Sequence, residues 1–457
     1  MNSRNWKIIL EETENEFLYK KSKSNLNIKF NRVAFIFFVF FLISIIYSIH
    51  LIHLGSRKSN ISSETNLQKL NNNLYRADIV DRDGNYLSKT VSSIDIGISP
   101  SKVIDEKKLI LNLKYIFPNK DYDELKKRLK KGKFFYFEKK VSEDNFEKLM
   151  KLGDKSIEPR ENIIRIYPQK NLFSHIIGQI DDDNNGISGI EMSYNDELKQ
   201  NGNSLNLTID TDLQYLIREE LLKSEEIFKN IGSASILMDI NSGEILSLIS
   251  LPDFNLNKRQ ELEDLSFINK VTKGVYELGS VFKTFTLASA FEYDILEPDT
   301  MFENLEKKIY CAGNQISEYD EKLPSDLNVE QILVRSSNIG SVRIAQKVGI
   351  EKYSSFLKKI GILDKIQFDI EEVGKPLNFR WGKCKLATTS FGHGITTTPL
   401  QLAKAYSIIS NGGYDIKPTI VKSNNSQIRN QILNPNVSEN INKILRKVVS
   451  TKEGTAH

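Results

Sequence analysis

Cysteine is nearly absent from this chain of 457 residues, which carries only Cys311 and Cys384. Two cysteines at that separation exclude a disulfide framework and match no zinc or redox motif. They could form one bridge or remain thiols, and the sequence leaves both open. Histidine is also scarce: of five, His50 and His53 fall in or beside an apolar segment. There is neither a ligand cluster nor an obvious Ser/His pairing, so any nucleophile here needs a different base. A large charge imbalance is missing as well. The formal net charge is +4, and no long basic run with interleaved aromatics occurs in the soluble part, which argues against a nucleic-acid partner. No internal repeat is visible. What remains is a chain with 40% hydrophobic and 27% charged residues, able to bury two or three cores of roughly 100 to 200 residues each.

The strongest compositional feature is the uncharged stretch "VAFIFFVFFLISIIYSIHLIHL", residues 33–54. It exceeds the roughly 20 residues a helix needs to cross a hydrocarbon core. A secretory signal has an apolar region of about 7 to 15 residues ending at a small-residue cleavage site. Neither condition is met, so the stretch reads as an uncleaved anchor. Lys20, Lys21, Lys23, Lys29 and Arg32 precede it, against Arg57 and Lys58 after it. That asymmetry assigns residues 1–32 to the cytoplasm and the rest of the chain to the other side of the inner membrane.

Residues 55–73 are polar and Asn/Ser-rich, as expected of a tether. "RADIVDRDGNYLSKTV" then carries apolar residues on both sides of Asp83-Gly84, a hairpin signal. Near residue 205 a short strand leads through Asp210 into an amphipathic helix, and a domain boundary is expected there. "ASILMDINSGEILSLIS" (234–250) reads as two strands joined around Ser242-Gly243.

The chemistry lies further on. "YELGSVFKTFTLASAFEYDIL" fits a buried helix beginning at or near Ser280, with Val281, Phe282, Phe285, Leu287, Ala288 and Phe291 around it. Ser280 and Lys283 are three apart and share one helical face. A lysine in that apolar setting is costly to charge, so its pKa falls and it can serve as a base. Ser280 with Lys283 is then a nucleophile and activator complete without histidine. The pattern alone is weak, because Ser-x-x-Lys recurs at Ser99/Lys102 and Ser355/Lys358, and the plain alternative is an N-cap with a snorkelling lysine. A second polar motif adds weight. In "VEQILVRSSNIGSVRIAQKVG" two helical segments meet at Ser336-Ser337-Asn338. Ser-x-Asn also recurs at Ser193 and Ser438, and its plain reading is a capped helix–helix turn.

At these motifs the chain resembles the class B penicillin-binding proteins, the membrane-anchored peptidoglycan transpeptidases. "RADIVDRDG", "RIYPQ" and "GQIDDDNNGISGIEMSYNDEL" resemble signatures of the family's N-terminal pedestal. "LTIDTDLQ", "MDINSGEILSLISLPDFNLN" and "FGHGITTTPLQLAKAYSIISNGG" resemble its catalytic domain, in the family's order. "SSNIGS", "ILRKVVSTKEGTA" and the compact pedestal are closer to the division-specific FtsI branch than to the elongation branch. Departures are Leu278 for the usual proline, Ala77 for a glycine, and His393 between two glycines.

The resemblance implies an α+β chain. A single transmembrane helix would lead to an elongated β-rich pedestal of dimerisation type (74–205) and a serine β-lactamase-like transpeptidase domain (206–457). It implies that Ser280 attacks the penultimate D-Ala of a stem peptide, that Lys283 takes the serine proton, that Ser336 relays a proton to the leaving amine, and that Asn338 bonds Lys283 and the substrate amide. Peptidoglycan stem peptides would be substrates, penicillin and other β-lactams would acylate Ser280, and an FtsW-type lipid II polymerase and other division proteins would be partners. No metal or organic cofactor is implied.

The family's third motif, Lys-[Ser/Thr]-Gly, does not occur. "KEGT" (452–455) is the nearest match, but Glu453 would oppose a substrate carboxylate and the preceding residues have helical spacing. Lys452 and Thr455 are therefore expected to have no catalytic role. The expectation is a chain truncated before that motif and inactive as it stands, from a gene encoding a transpeptidase. The alternatives are a non-catalytic scaffold of the division complex, an elongation-type transpeptidase, and a β-lactam hydrolase or sensor. The single anchor and long pedestal disfavour the last.

Overall fold

The computed structural model describes residues 23–56, 75–200, 202–258, 265–377, 379–423 and 429–457. The chain forms two bodies, 1–73 and 74–457. The described part of the first is one helix, α1 (Lys23–Ser56). Within it Ala34–Ile52 is long and apolar enough to cross a membrane, and none of that stretch is buried by protein. Such exposure of Phe, Ile and Leu along that stretch suits lipid rather than water.

The second body begins with a five-stranded sheet of β1 (Ile79–Val80), β2 (Tyr86–Ile98), β3 (Phe135–Val141), β4 (Ile157–Ile166) and β5 (Leu205–Asn206). The expected hairpin at Asp83-Gly84 forms: β1 and β2 pair antiparallel, and Gly84 takes φ +90°. Asp81 fastens the turn by accepting from the Asp83 and Asn85 amides. The long β2 then pairs with β4 from Lys89↔Ile166 to Ile98↔Ile157. Helices α2 (Glu106–Ile116), α3 (Tyr122–Lys130) and α4 (Glu143–Lys151) start at Asp105, Asp121 and Ser142, each of whose side chains caps a free amide. Their leucines 109, 113, 125, 129 and 149 cover Ile96 and Ile98.

Three of the pedestal signatures converge at a buried ion cluster. Arg76 of "RADIVDRDG" donates to Glu191 of "GISGIEMSY" at 2.5 Å, and Arg165 of "RIYPQ" donates to the other Glu191 oxygen at 2.8 Å. Arg76 and Glu191 are fully buried. The Ser88 hydroxyl, the Asn184 carbonyl and the Asn195 side chain add further hydrogen bonds, while Arg165 Nη2 has no partner among the described residues. Such a cluster is tolerated in a core only because its charges are paired and bonded.

Asp210 caps α5 (Thr211–Phe228). It packs on the hairpin β6 (Ser233–Met238)–β7 (Ile245–Leu251), whose turn holds Gly243 at φ +78° and is fastened by Asp239. One apolar cluster draws Ile79, Ile190 and Leu198 together with Ile245, Leu248 and Leu400. The largest cluster surrounds α6 (Lys283–Glu292). Beyond α6, β8 (Met301–Phe302) pairs with β11 (Leu327–Asn328). Between them lies the hairpin β9 (Lys308–Cys311)–β10 (Asn314–Ser317). The helices α7 (Val329–Val334), α8 (Asn338–Val348), α9 (Ile350–Lys359), α10 (Lys383–Thr389), α11 (Pro399–Ser410) and α12 (Pro435–Ser450) follow. Cys311 and Cys384 form a disulfide, joining β9 to α10.

Candidate functional site

Residues 279–282 form a 3-10 turn that runs into α6. Ser280 on that turn is exposed, whereas every residue from Lys283 to Phe291 is buried. The burial follows from composition: "FKTFTLASAF" has apolar or small residues on all sides, so the helix is surrounded by packing. Lys283 is 1% exposed, and it is the charged residue forced into that core by the spacing.

Its ammonium nitrogen is where the two motifs meet. Lys283 Nζ donates to Ser280 Oγ at 3.1 Å, to Ser336 Oγ at 2.8 Å and to the Ser336 carbonyl at 2.6 Å. Burial holds its pKa down at about 8, partly offset by the negative charge of Glu318. At neutral pH a useful fraction of Lys283 is therefore unprotonated and able to take a proton from a hydroxyl.

The Ser336-Ser337-Asn338 turn has a local cause. α7 ends with the Ser337 amide on the Ile332 carbonyl and the Ser336 amide on the Leu333 carbonyl. This is a Schellman ending, whose left-handed position usually holds glycine. Here that position is Ser336, at φ +56°. A non-glycine residue there costs on the order of 1–3 kcal/mol, a cost met most often at functional sites. Ser337, next in line, is the N-cap of α8, accepting from the Gly340 amide at 2.9 Å. The two serines thus divide the work: the second serves the helix, leaving the first free to face Lys283.

Asn338 differs from expectation. Its Nδ2 donates to the Ser317 carbonyl at 2.9 Å. Among the described residues Lys283 bonds only Ser280 and Ser336, so the expected Asn338–Lys283 bond is not made. The Asn338 side chain is instead held by β10, which lies beside α8 and offers the Ser317 carbonyl as acceptor. The chance motifs go elsewhere: Ser99 and Lys102 both bind the Glu158 carboxylate. "TKEGTAH" is a turn closing α12 rather than a strand, and Glu453 pairs with Arg335 at 2.5 Å.

Several supports were not legible in the sequence. Tyr406 on α11 donates to the Val281 carbonyl at 2.8 Å and touches the Thr284 hydroxyl, fixing the serine turn. Gly392 approaches so closely that a Cβ there would lie 2.0 Å from the Gly279 carbonyl oxygen. His393 beside it pairs with Glu277 at 3.0 Å. Glu318 accepts from the Ser337 hydroxyl at 2.5 Å. The glycines of "FGHG" are a visible signal for close approach; Tyr406 and Glu318 carry none. Among the described residues no group of His, Cys, Asp and Glu could hold a metal ion.

Residues 72–215 match the penicillin-binding protein dimerisation domain, and residues 233–457 match the penicillin binding protein transpeptidase domain. The chain is 28% identical over 387 residues to the probable peptidoglycan D,D-transpeptidase FtsI of Caulobacter vibrioides, covering 83% of this chain and 65% of that protein. It is 27% identical over 375 residues to the peptidoglycan D,D-transpeptidase FtsI of Escherichia coli strain K12, covering 74% and 63%. Stage V sporulation protein D of Bacillus subtilis is 26% identical over 436 residues, covering 83% and 66%. The chain thus spans about two thirds of the length of these relatives.

Proposed function

The chain belongs to the class B penicillin-binding proteins, of the FtsI type, and from that premise we propose that the protein is a serine D,D-transpeptidase cross-linking stem peptides during septal wall synthesis. The observation that carries the reading is the position of Lys283 Nζ, within hydrogen-bond reach of both the Ser280 and Ser336 hydroxyls. Unprotonated Lys283 takes the Ser280 proton as Ser280 Oγ bonds to the carbonyl carbon of the penultimate D-Ala. Ser336 passes its proton to the departing nitrogen and takes the Ser280 proton from Lys283 in return, the peptide bond breaks, and D-Ala leaves an ester on Ser280. An amine from a neighbouring stem peptide then attacks the ester and its proton moves to Lys283, which passes it to Ser280 Oγ as the ester bond breaks, restoring both the serine and the unprotonated lysine. Asn338 Oδ1 accepts from the substrate amide while its Nδ2 stays on Ser317. A β-lactam mimics the first step and stops at the ester.

The pedestal (74–205) and transpeptidase domain (206–457) lie outside the inner membrane in this reading, behind the anchor 33–54. The lysine asymmetry around the anchor supports this orientation, and so does the Cys311–Cys384 disulfide, since such bonds persist in oxidising compartments. An FtsW-type lipid II polymerase and other division proteins are the proposed partners.

A thioester analogue of a D-Ala-D-Ala stem, offered to the full-length anchored protein with a D-amino acid acceptor, tests the reaction. The expected result is an aminolysis product that disappears in Ser280→Ala. Turnover unchanged by that substitution would contradict the assignment.

A further inference from the structure

Glu318 follows directly on β10 and takes no part in the proton transfers above. Its Oε1 accepts from the Ser337 hydroxyl at 2.5 Å and the Ile339 amide at 3.0 Å, and its Oε2 accepts from the Asn338 amide at 2.7 Å. Those amides open α8, where no intrahelical acceptor exists and an anion is favoured. The preceding Ser317 carbonyl holds the Asn338 side chain. Two consecutive residues, the last of β10 and the one after it, therefore grip the serine turn. The hairpin is itself anchored, because β9 ends at Cys311, bridged to Cys384 on α10. α10 runs on to Ser390, whose carbonyl accepts from Thr286 on α6 at 2.8 Å. A closed path of bonds thus returns to the helix carrying Lys283.

We propose that Glu318 is a positioning residue of the acyl-transfer site: by binding the Ser337 hydroxyl and the Asn338 and Ile339 amides, it holds Ser336 against Lys283. The inference rests on the serine–lysine reading above. A left-handed serine would relax if freed, so the turn needs a clamp to keep its hydroxyl aimed at Lys283. Glu318 also sets the charge there. Ser280 and Ser336, which Lys283 bonds, are neutral hydroxyls; Arg335, next to Ser336 in the chain, is paired with Glu453; and burial raises the pKa of the Tyr406 phenol, which bonds Thr284.

The test is the second-order rate of acylation by a fluorescent penicillin from pH 6 to 10, using the full-length anchored protein in detergent, with thermal midpoints measured in parallel. Glu318→Gln keeps one acceptor but turns an NH₂ toward the helix amides. Its plateau rate should fall about 10- to 100-fold, the loss expected from a misplacement near 1 Å. Its acid limb should move to lower pH, because losing the negative charge disfavours protonated Lys283. Glu318→Asp, still charged, should restore the position of the limb. A merely structural role would alter the folded fraction without moving the limb. If the Gln variant does not fold, Ser337→Ala removes the same 2.5 Å bond from the other side and should lower the rate too. A folded Glu318→Gln with wild-type rate and limb, or a Ser337→Ala protein with wild-type rate, overturns the role of Glu318. A wild-type protein that fails to acylate at Ser280 instead removes the serine–lysine reading itself.

Discussion

Replacing Ser336 separates the energetics of the turn from its chemistry. Both Ser336→Ala and Ser336→Gly delete the hydroxyl that lies 2.8 Å from Lys283 Nζ, so that loss cancels when the two are compared. What differs is the backbone at φ +56°. An L side chain in the left-handed region costs roughly 1–2 kcal/mol, from which glycine is exempt. Against this, glycine loses about 0.4–1 kcal/mol through the greater freedom of its unfolded chain. The glycine variant should therefore be the more stable by roughly 0.5–1 kcal/mol, the reverse of the order inside a helix. Thermal or urea midpoints in detergent would show it. Acylation by penicillin should fall in both variants by about 10²- to 10⁴-fold, the range for a lost proton-transfer group. An alanine variant more stable than the glycine variant would refute the left-handed turn. Either variant acylating at the wild-type rate would refute the proton path through Ser336.

Other perturbations follow from the same geometry. Because Lys283 must be unprotonated to act and its pKa lies at about 8, acylation should drop about tenfold per pH unit well below that value; a flat profile from pH 6 to 9 would count against Lys283 as the base. Glu191→Ala leaves Arg76 and Arg165 buried without their carboxylate and should cost about 3–5 kcal/mol, read as a large fall in thermal midpoint; a loss under about 1 kcal/mol would mean the charges find other partners. Gly392→Ala forces a Cβ toward the Gly279 carbonyl, so it should depress Ser280 acylation, whereas Gly84→Ala, in open space at φ +90°, should pay only the left-handed cost of roughly 1–2 kcal/mol and acylate normally.

Much of this architecture was legible where local chemistry decides it. The hairpins at Asp83-Gly84 and Ser242-Gly243, the Asp210 cap, the buried helix after Ser280 and the helical character of residues before Thr451 all follow from turn residues and periodicity. Of the contacts that join Ser280, Lys283 and Ser336, spacing alone gives the first pair, three apart on one helical face. The partner of Asn338 was not legible, because it depends on β10, whose position relative to α8 is set by tertiary packing. Glu318 escaped for the same reason: a lone glutamate after a short strand looks like any solvated carboxylate until the fold brings it to a helix start. The pairing of Cys311 with Cys384 likewise needs the separation of β9 and α10, a Cα–Cα distance of 5.4 Å, which no spacing in the chain reveals. Nor could the sequence show that the arginines of two separate pedestal motifs share Glu191.

The central claim is that Ser280 is the acylated nucleophile. The most direct measurement is peptide mapping by mass spectrometry after the full-length anchored protein has reacted with penicillin. The account predicts one penicilloyl adduct, on the Ser280 hydroxyl, and none in Lys283→Met, in which the base is gone. An adduct on Ser336 or another serine, or undiminished labelling of the Lys283→Met protein, would contradict it.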